Sequence, residues 1–411
     1  MKEYIPIIIG GFLVFLLLDF YFLRTWTKYI KNQGFNPFFY RIFWFISAGL
    51  LILFFYISFT RDFSDQPNKF TRTAFIIAAI WFVPKMIIAP IIFLKDLIKF
   101  IFKKLKGKNR AAPLQNKEKA IPFDESKRKL LQNAAWGLAG IPFLVIGKEL
   151  VYRSTNFKVF YEEIPIFNLP TGLNGFKIVQ ISDIHAGSFF QKESFAEVRM
   201  MINMLNADLI VITGDFVNFN PNELTPIIPE IKRFSATYGV YGCLGNHDHY
   251  MSEENHEKFL ELVKDAGVKM LINENRTIKV KDSELQIIGV DNIGLGQFLG
   301  DIDLAVEGVN FSLPSILLLH DPSYWEEKII SKYPIDLTLL GHTHGGQLGF
   351  NMLGVELSLA MFFYKRWAGL HKVKEHYIYI NRGLGTTGPP VRAGINPEIT
   401  LLTLKAVDNV A

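Results

Sequence analysis

The stretch best suited to chemistry is Gly341-His342-Thr343-His344-Gly345-Gly346-Gln347. It follows a mostly apolar run, Ile335–Leu340, that reads as a buried strand. Two histidines two apart, where a strand ends and the backbone turns, can direct both imidazoles into one space above a sheet. The glycines after them let the chain bend close to that space. His-x-His alone is a weak signal, because single turn histidines are common. Four further segments raise its weight. Asp183-Ile184-His185 follows Lys177–Ser182, and Gly214-Asp215 follows Asp208–Thr213. Gly245-Asn246-His247-Asp248 follows Gly239–Leu244, and His320 follows Ser315–Leu319.

Imidazole nitrogens, carboxylate oxygens and one amide oxygen form a mixed donor set. That set favours Mn, Fe or Zn over Mg and argues against Ca. Its lack of cysteine argues against a structural zinc. One ion cannot use so many side chains and still keep a position open for water, whereas two ions sharing a carboxylate can. Two divalent ions held close together lower the pKa of a water between them.

The elements that must position these groups are legible from Phe176 onward. Short apolar runs alternate with amphipathic stretches that predict helices at Ser194–Leu205, Pro221–Phe234 and Glu253–Ala266. Further strands are expected at Leu285–Val290, Tyr377–Ile380 and Ile399–Leu404. Continuous apolar strands with covering helices predict a layered α/β domain. Sites in such sheets lie beyond the carboxyl ends of the strands, where all of this polar punctuation falls. Ahead of them, Lys158–Tyr161 and Ile164–Phe167 read as a leading hairpin within Arg153–Asn174.

Asp183-x-His185, Gly214-Asp215, Gly245-Asn246-His247-Asp248, His320 and Gly341-His342-x-His344 resemble, in order, the motifs of the calcineurin-like metallophosphoesterases. The Gly-Gly-Gln after His344 and the apolar front end resemble the bacterial membrane-associated branch of that family. The resemblance covers roughly Phe176–Leu404. It implies a four-layer α/β/β/α sandwich of two facing sheets with helices outside. It also implies that Asp183, His185 and His344 hold a first metal, that Asn246, His320 and His342 hold a second, and that Asp215 bridges them. His247 would be a general acid beside the metals, with Asp248 orienting it. The family often reads Gly-Asp-x-x-Asp; here the last position is Asn218, which puts hydrogen bonding around the ligands in question. His249 reads either as an exposed turn residue or as a substrate contact. The Gly/Pro-rich stretch Asn381–Arg392 reads either as a plain connection or as a rim loop whose Arg382 or Arg392 touches substrate anions.

The first 150 residues are of another kind. Of 411 residues, 49% are hydrophobic and 37 are phenylalanine, with the excess near the front, which signals membrane rather than a larger core. Ile5–Phe22 is uncharged until Asp19, Ile42–Phe59 carries no charge, and Ala74–Leu94 carries only Lys85, with Pro84 and Pro90. Each approaches the roughly 20 residues that cross a bilayer. A fourth, shorter run, Ala134–Gly147, is the candidate last span or anchor. The expected organisation is membrane helices over 1–102, a basic cytoplasmic loop over 103–132 with an exposed linker at Ala111–Ser126, a fourth membrane segment over 133–152, and the metallophosphoesterase domain over 153–411. Between Lys103 and Gln132 there are ten Lys/Arg against three Asp/Glu, the strongest cytoplasmic signal in the chain. If the fourth run spans, the catalytic part lies outside the cytoplasm of a bacterial inner or plasma membrane. The net charge of +5 is accounted for by this local excess, so no nucleic-acid partner is expected. Cys243 is the single cysteine, so no intrachain disulfide forms, and its place in a strand reads as core packing.

The reading is therefore a membrane-anchored, two-metal phosphoesterase, for diesters ahead of monoesters, whose substrate is either a lipid-linked or envelope phosphate or a soluble diester met at the surface. The alternative is a membrane-bound scaffold or sensor that uses the fold without turnover.

Overall fold

The computed structural model describes residues 5–60, 69–108, 125–152, 156–188, 192–294, 297–352, 355–388 and 391–407. The chain divides into two compact units, one of Met1–Arg61 with Pro67–Arg153, the other chiefly Ser154–Ala411.

The first unit holds helices α1 (Ile5–Asn32), α2 (Pro37–Thr60), α3 (Lys69–Lys108) and α4 (Glu125–Tyr152). Among the described residues, Pro37–Ile57, Thr73–Leu105 and Lys129–Lys148 are long and apolar enough to cross a membrane. Pro84 and Pro90 both lie inside α3, which continues through them. Of the basic stretch 103–132, α3 takes in residues up to Lys108 and α4 begins at Glu125. The linker expected at Ala111–Ser126 lies, up to Asp124, outside the described residues. Phe22, Leu23, Ile88 and Ala89 form a small core with Trp26 and Trp136 packed against it. The two charges of the apolar runs meet inside this unit. Lys85 Nζ lies 2.6 Å from Asp19 Oδ1, and both side chains are buried. Ser47 donates to Asp19 Oδ2 at 2.6 Å, and the Trp81 indole donates to Ser47 at 3.0 Å. The Lys85 ammonium also stands 4.0 Å over the Trp81 ring. One network thus joins α1, α2 and α3, satisfying charges that hydrocarbon would not.

The second unit has two six-stranded sheets. In the first, the order is β1 (Lys158–Phe167), β16 (Glu398–Val407), β2 (Lys177–Ile181), β3 (Leu209–Thr213), β4 (Val240–Cys243), β5 (Val268–Met270). Strands β2 to β5 run parallel, and β16 is antiparallel to β2. The second sheet reads β14 (Gly369–Val373), β15 (His376–Ile380), β11 (Leu337–Leu340), β10 (Ser315–Leu318), β7 (Ser283–Gly289), β6 (Glu274–Val280). Its four central strands are parallel and both edges are antiparallel. Two small ribbons, β8 (Ile293–Gly294) with β9 (Gln297–Phe298) and β12 (Gly349–Met352) with β13 (Val355–Ser358), complete the strands.

Alternation along the strands sets the layers. Leu209 and Val211 of β3, with Leu337 and Leu339 of β11, fill the core between the sheets. Ile210 and Ile212 point the other way, against Phe195, Val198 and Ile202 of α5 (Lys192–Met204) and against Phe259 and Val263 of a later helix. Leu317, Leu340 and Ile378 face Trp325 and Ile329 on the outside of the second sheet. The result is the expected α/β/β/α sandwich. Cys243 lies fully buried in the inter-sheet core.

Two local readings are corrected. The leading hairpin is one ten-residue strand, β1, paired in parallel with β16 along its whole length. The helix expected at Pro221–Phe234 is a 3-10 turn at Pro221–Leu224 and a single turn, α6 (Ile228–Ile231), because prolines at 221, 226 and 229 interrupt the backbone ladder. The helix expected at Glu253–Ala266 is α7 (Glu253–Asp265).

Candidate metal centre

The expected ligands follow the ends of β2, β3, β4, β10 and β11. Asp183, His185, Asp215, His342 and His344 all have positive φ, between 42° and 71°. Non-glycine residues rarely sit there, and such strain gathers at functional sites. The conformation is held by backbone bonds that carry the sheet pairing past the strand ends. Asp183 N–H donates to Gly214 O at 3.0 Å, and His185 N–H donates to Asp215 O at 3.0 Å. The two sheets are tied at the same level. Leu384 and Gly385 N–H donate to Ser182 O and Asp183 O, and the Gln180 amide donates to Thr213 Oγ1 and Leu340 O. Gly341 is required by space: a Cβ there would fall 1.9 Å from Ser182 Oγ and 2.5 Å from Asp183 Oδ2.

The side chains gather into two groups with one shared member. Asp183, His185, Asp215 and His344 offer donor atoms within 4.8 Å of one another, and so do Asp215, His320 and His342. His185 Nε2 and His344 Nε2 are 3.0 Å apart, and His344 Nε2 is 3.3 Å from Asp183 Oδ1. Asp215 Oδ2 lies 3.5 Å from His185 Nε2 and 3.1 Å from His320 Nε2. His342 Nδ1 is 3.2 Å from His320 Nε2. Two nitrogens each about 2.1 Å from one ion stand about 3 Å apart when their bonds are at right angles, so these spacings fit shared coordination. Asn246 Oδ1 is buried without a hydrogen-bond partner, while its Nδ2 donates to Tyr250 Oη at 3.1 Å. A buried acceptor left open fits a ligand. Burial and neighbouring charge set the protonation states. Burial drives His185 down to about 3 and His342 down to about 4, leaving neutral imidazoles. Burial pushes Asp183 up to about 6. Burial also pushes Asp215 upward, but the neighbouring His320 and His247 imidazoles win and hold it well below the usual carboxylate range. His320 shows the reverse balance: burial pulls it down, yet Asp215 raises it to about 10. Its Nδ1–H donates to Thr213 O at 2.7 Å, which turns Nε2 toward Asp215.

His247 stands at the edge of this cluster, its ring 4.7 Å from that of His185. Its Nδ1–H donates to Asn218 O at 2.9 Å, and its Nε2 lies 3.5 Å from Thr387 Oγ1. Asp248, expected to orient His247, does not touch the ring. Its carboxylate accepts the backbone N–H groups of Asp215, Phe216 and Gly245, each at 2.9 Å. It clamps the β3 and β4 loops together, and burial lifts its carboxyl to about 7.

The expected substrate contacts are otherwise engaged. Arg382 is buried between Glu398 at 2.6 Å and Glu356 at 2.7 Å. Arg392, also buried, donates to Gly385 O and Arg382 O and stands 3.3 Å from His344 Nδ1. Both are supports of the loop, Arg382 through carboxylates and Arg392 through carbonyls. His249 is neither exposed nor free: its Nε2 is 2.7 Å from Asp291 Oδ1. Two residues escaped the sequence reading. Asp321 Oδ2 stands 3.6 Å behind His342 Nε2. Glu223 accepts the N–H groups of Gly187, Asn218, Phe219 and Asn220 and the Asn218 side-chain amide. The pattern Asn220-Pro-Asn-Glu223 is a capping box, which is the signal that could have found it.

Residues 176–346 match the family described as calcineurin-like phosphoesterase. The chain is 34% identical over 244 residues to the uncharacterized metallophosphoesterase YkuE of Bacillus subtilis (strain 168), spanning 58% of this chain and 82% of YkuE. The chain belongs to the calcineurin-like metallophosphoesterase family. Residues 4–148 match a probable calcineurin-like phosphoesterase transmembrane domain, so this metallophosphoesterase is a membrane protein. An uncharacterized metallophosphoesterase of Campylobacter jejuni is 27% identical over 414 residues, covering 97% of this chain and 98% of its own. Phosphodiesterase YaeI of Escherichia coli (strain K12) is 29% identical over 234 residues, covering 56% and 82%. Membership makes the chemistry metal-dependent hydrolysis of a phosphate ester, at a cluster of Asp and His suited to binding metal.

Proposed function

We propose that this chain is a membrane-anchored phosphodiesterase whose centre takes two divalent ions, Mn, Fe or Zn. The supporting observation is the single carboxylate of Asp215 at the shared vertex of two donor groups. Asp183, His185 and His344 would hold one ion, and Asn246, His320 and His342 the other, with Asp215 between them. Bound there, the ions would neutralise the ester's charge and activate a water. The remaining work falls to the chain. Asp248 fixes the loops that carry Asp215 and Asn246. The Asn218 carbonyl holds the proton on Nδ1 of His247, so that Nε2 can carry a second proton outward to the leaving oxygen. Preference for diesters draws support from the likeness to YaeI, which is called a phosphodiesterase.

In this reading residues 1–102 and 133–152 anchor the chain, 103–132 lies in the cytoplasm, and 153–411 acts outside the cytoplasm of a bacterial inner or plasma membrane. The substrate is a lipid-linked or envelope phosphate ester. The acid role is tested by leaving group. His247→Ala should slow full-length enzyme about 10²–10⁴-fold on alkyl esters, whose leaving oxygens need a proton, and far less on p-nitrophenyl esters. Equal losses on both would remove the role.

A further inference from the structure

The turn next to the His-x-His loop presents large apolar side chains to solvent. Leu359, Met361, Phe362 and Phe363 are exposed, the two phenylalanines by 77% and 81%. Each fully exposed phenylalanine offers on the order of 200 Å² of apolar surface, so the pair alone matches a sizeable patch for a whole protein. This is a built turn. Ser358 Oγ accepts from Ala360 N–H and donates to Gly345 O, so the turn hangs directly from the site loop. Phe363 and Tyr364 N–H both donate to Ala360 O, and Ala360 is buried. The next residues face the centre. The Tyr364 ring lies 6.0 Å from that of His342, and Thr343 donates to Trp367 O at 2.6 Å.

We propose that the turn Leu359–Phe363 seats in the surface of the bilayer that holds the chain's own helices, bringing the metal centre to head-group level. The proposal rests on the membrane-anchored phosphoesterase reading and narrows its substrate to esters reached at the lipid surface. Three observations choose lipid over a protein partner. Only five residues separate Tyr152, the end of α4, from Lys158, the start of β1. The six Cα steps reach at most about 20 Å, so the tether keeps the bilayer within reach of the second unit. The turn has the make-up of an interfacial element, with apolar and aromatic side chains at the tip and a half-exposed aromatic, Tyr364, and an exposed Lys365 beside them. It is a 3-10 turn closed by Phe363 and Tyr364 N–H on Ala360 O, so it offers no strand edge to a partner.

The test uses the full-length protein with Phe362→Cys, labelled with an environment-sensitive fluorophore and placed in vesicles of phosphatidylcholine and phosphatidylglycerol. Cys243 is buried and stays unlabelled in the folded protein. An inserted apolar face lies about 5–10 Å below the head-group boundary. Lipids carrying a nitroxide on the acyl chain should therefore roughly halve the emission, while the same label at Lys281→Cys, in the β6–β7 turn, is left unquenched. Equal, weak quenching at both positions would overturn the proposal. So would emission at position 362 that depends on protein density in the vesicle and not on the nitroxide, which would mark a second copy as the occupant. Hydrolysis of bis-p-nitrophenyl phosphate by the same labelled sample is read in parallel. Activity without quenching defeats the docking and spares the phosphoesterase reading; quenching without activity does the opposite.

Discussion

Asn218 offers a sharp test, because changing it to the family's usual residue should damage this protein. Asn218 Nδ2 donates to Glu223 Oε2 at 2.9 Å, and the same oxygen takes the N–H groups of Gly187 and Asn218. Asn218→Asp would set a second carboxylate at that distance. At about 3 Å and an effective dielectric near 20, two such charges repel by about 5 kcal/mol. The pair avoids this by taking up a proton. Glu223 already accepts four backbone N–H groups, so the introduced carboxyl carries the proton. Its unfolded pKa is about 3.9, and holding it protonated in the folded protein at pH 7 costs at most about 4 kcal/mol. Swinging it away instead forfeits a charge-assisted bond of about 1.5–3 kcal/mol, so the expected loss is about 2–4 kcal/mol. The sign follows from the raised folded pKa. Relative stability is intact below about pH 4 and is lost as pH rises toward the folded value, so at pH 5 the deficit is no more than about 1.5 kcal/mol. The assay is thermal unfolding of detergent-solubilised, metal-loaded full-length protein at both pH values. At about 2–4 °C per kcal/mol, the midpoint should fall by about 5–15 °C at pH 7 and by a few degrees at pH 5. A variant as stable as the parent at pH 7, or equally impaired at both pH values, would refute this account of Asn218.

The membrane unit makes its own prediction. Lys85→Met leaves Asp19 charged and buried and should cost about 3–5 kcal/mol in detergent melts, whereas Lys85→Met with Asp19→Leu should recover most of it. An alkaline phosphatase reporter fused after Ala411 should be active in bacterial cells; an inactive fusion would place the catalytic unit in the cytoplasm instead.

The site was legible because its chemistry is local to strand ends. Every expected ligand follows directly on an apolar run, and the runs stand within a few residues of the observed strands: Ile335–Leu340 became Leu337–Leu340, and Ser315–Leu319 became Ser315–Leu318. What failed depends on distant partners. Nothing in Lys158–Phe167 announces a parallel mate at Glu398–Val407, more than 200 residues on, so two short alternations looked like a hairpin. Arg382 and Arg392 looked available for substrate because their consumers, Glu356, Glu398 and the carbonyls of Gly385 and Arg382, come together only in the folded loop. Asp248 sits beside His247 in sequence, yet its carboxylate turns back to the β3 loop, and a carbonyl from Asn218 orients the ring instead.

The central claim is that Asp215 joins two metal positions into one hydrolytic centre. The direct measurement strips metal from the full-length protein, then titrates Mn while following bound metal and hydrolysis of bis-p-nitrophenyl phosphate. The account predicts two ions per chain with activity restored as they bind, and loss of both metal and activity in Asp215→Ala. Hydrolysis that ignores metal, or an Asp215→Ala protein that still loads two ions and turns over, would contradict it.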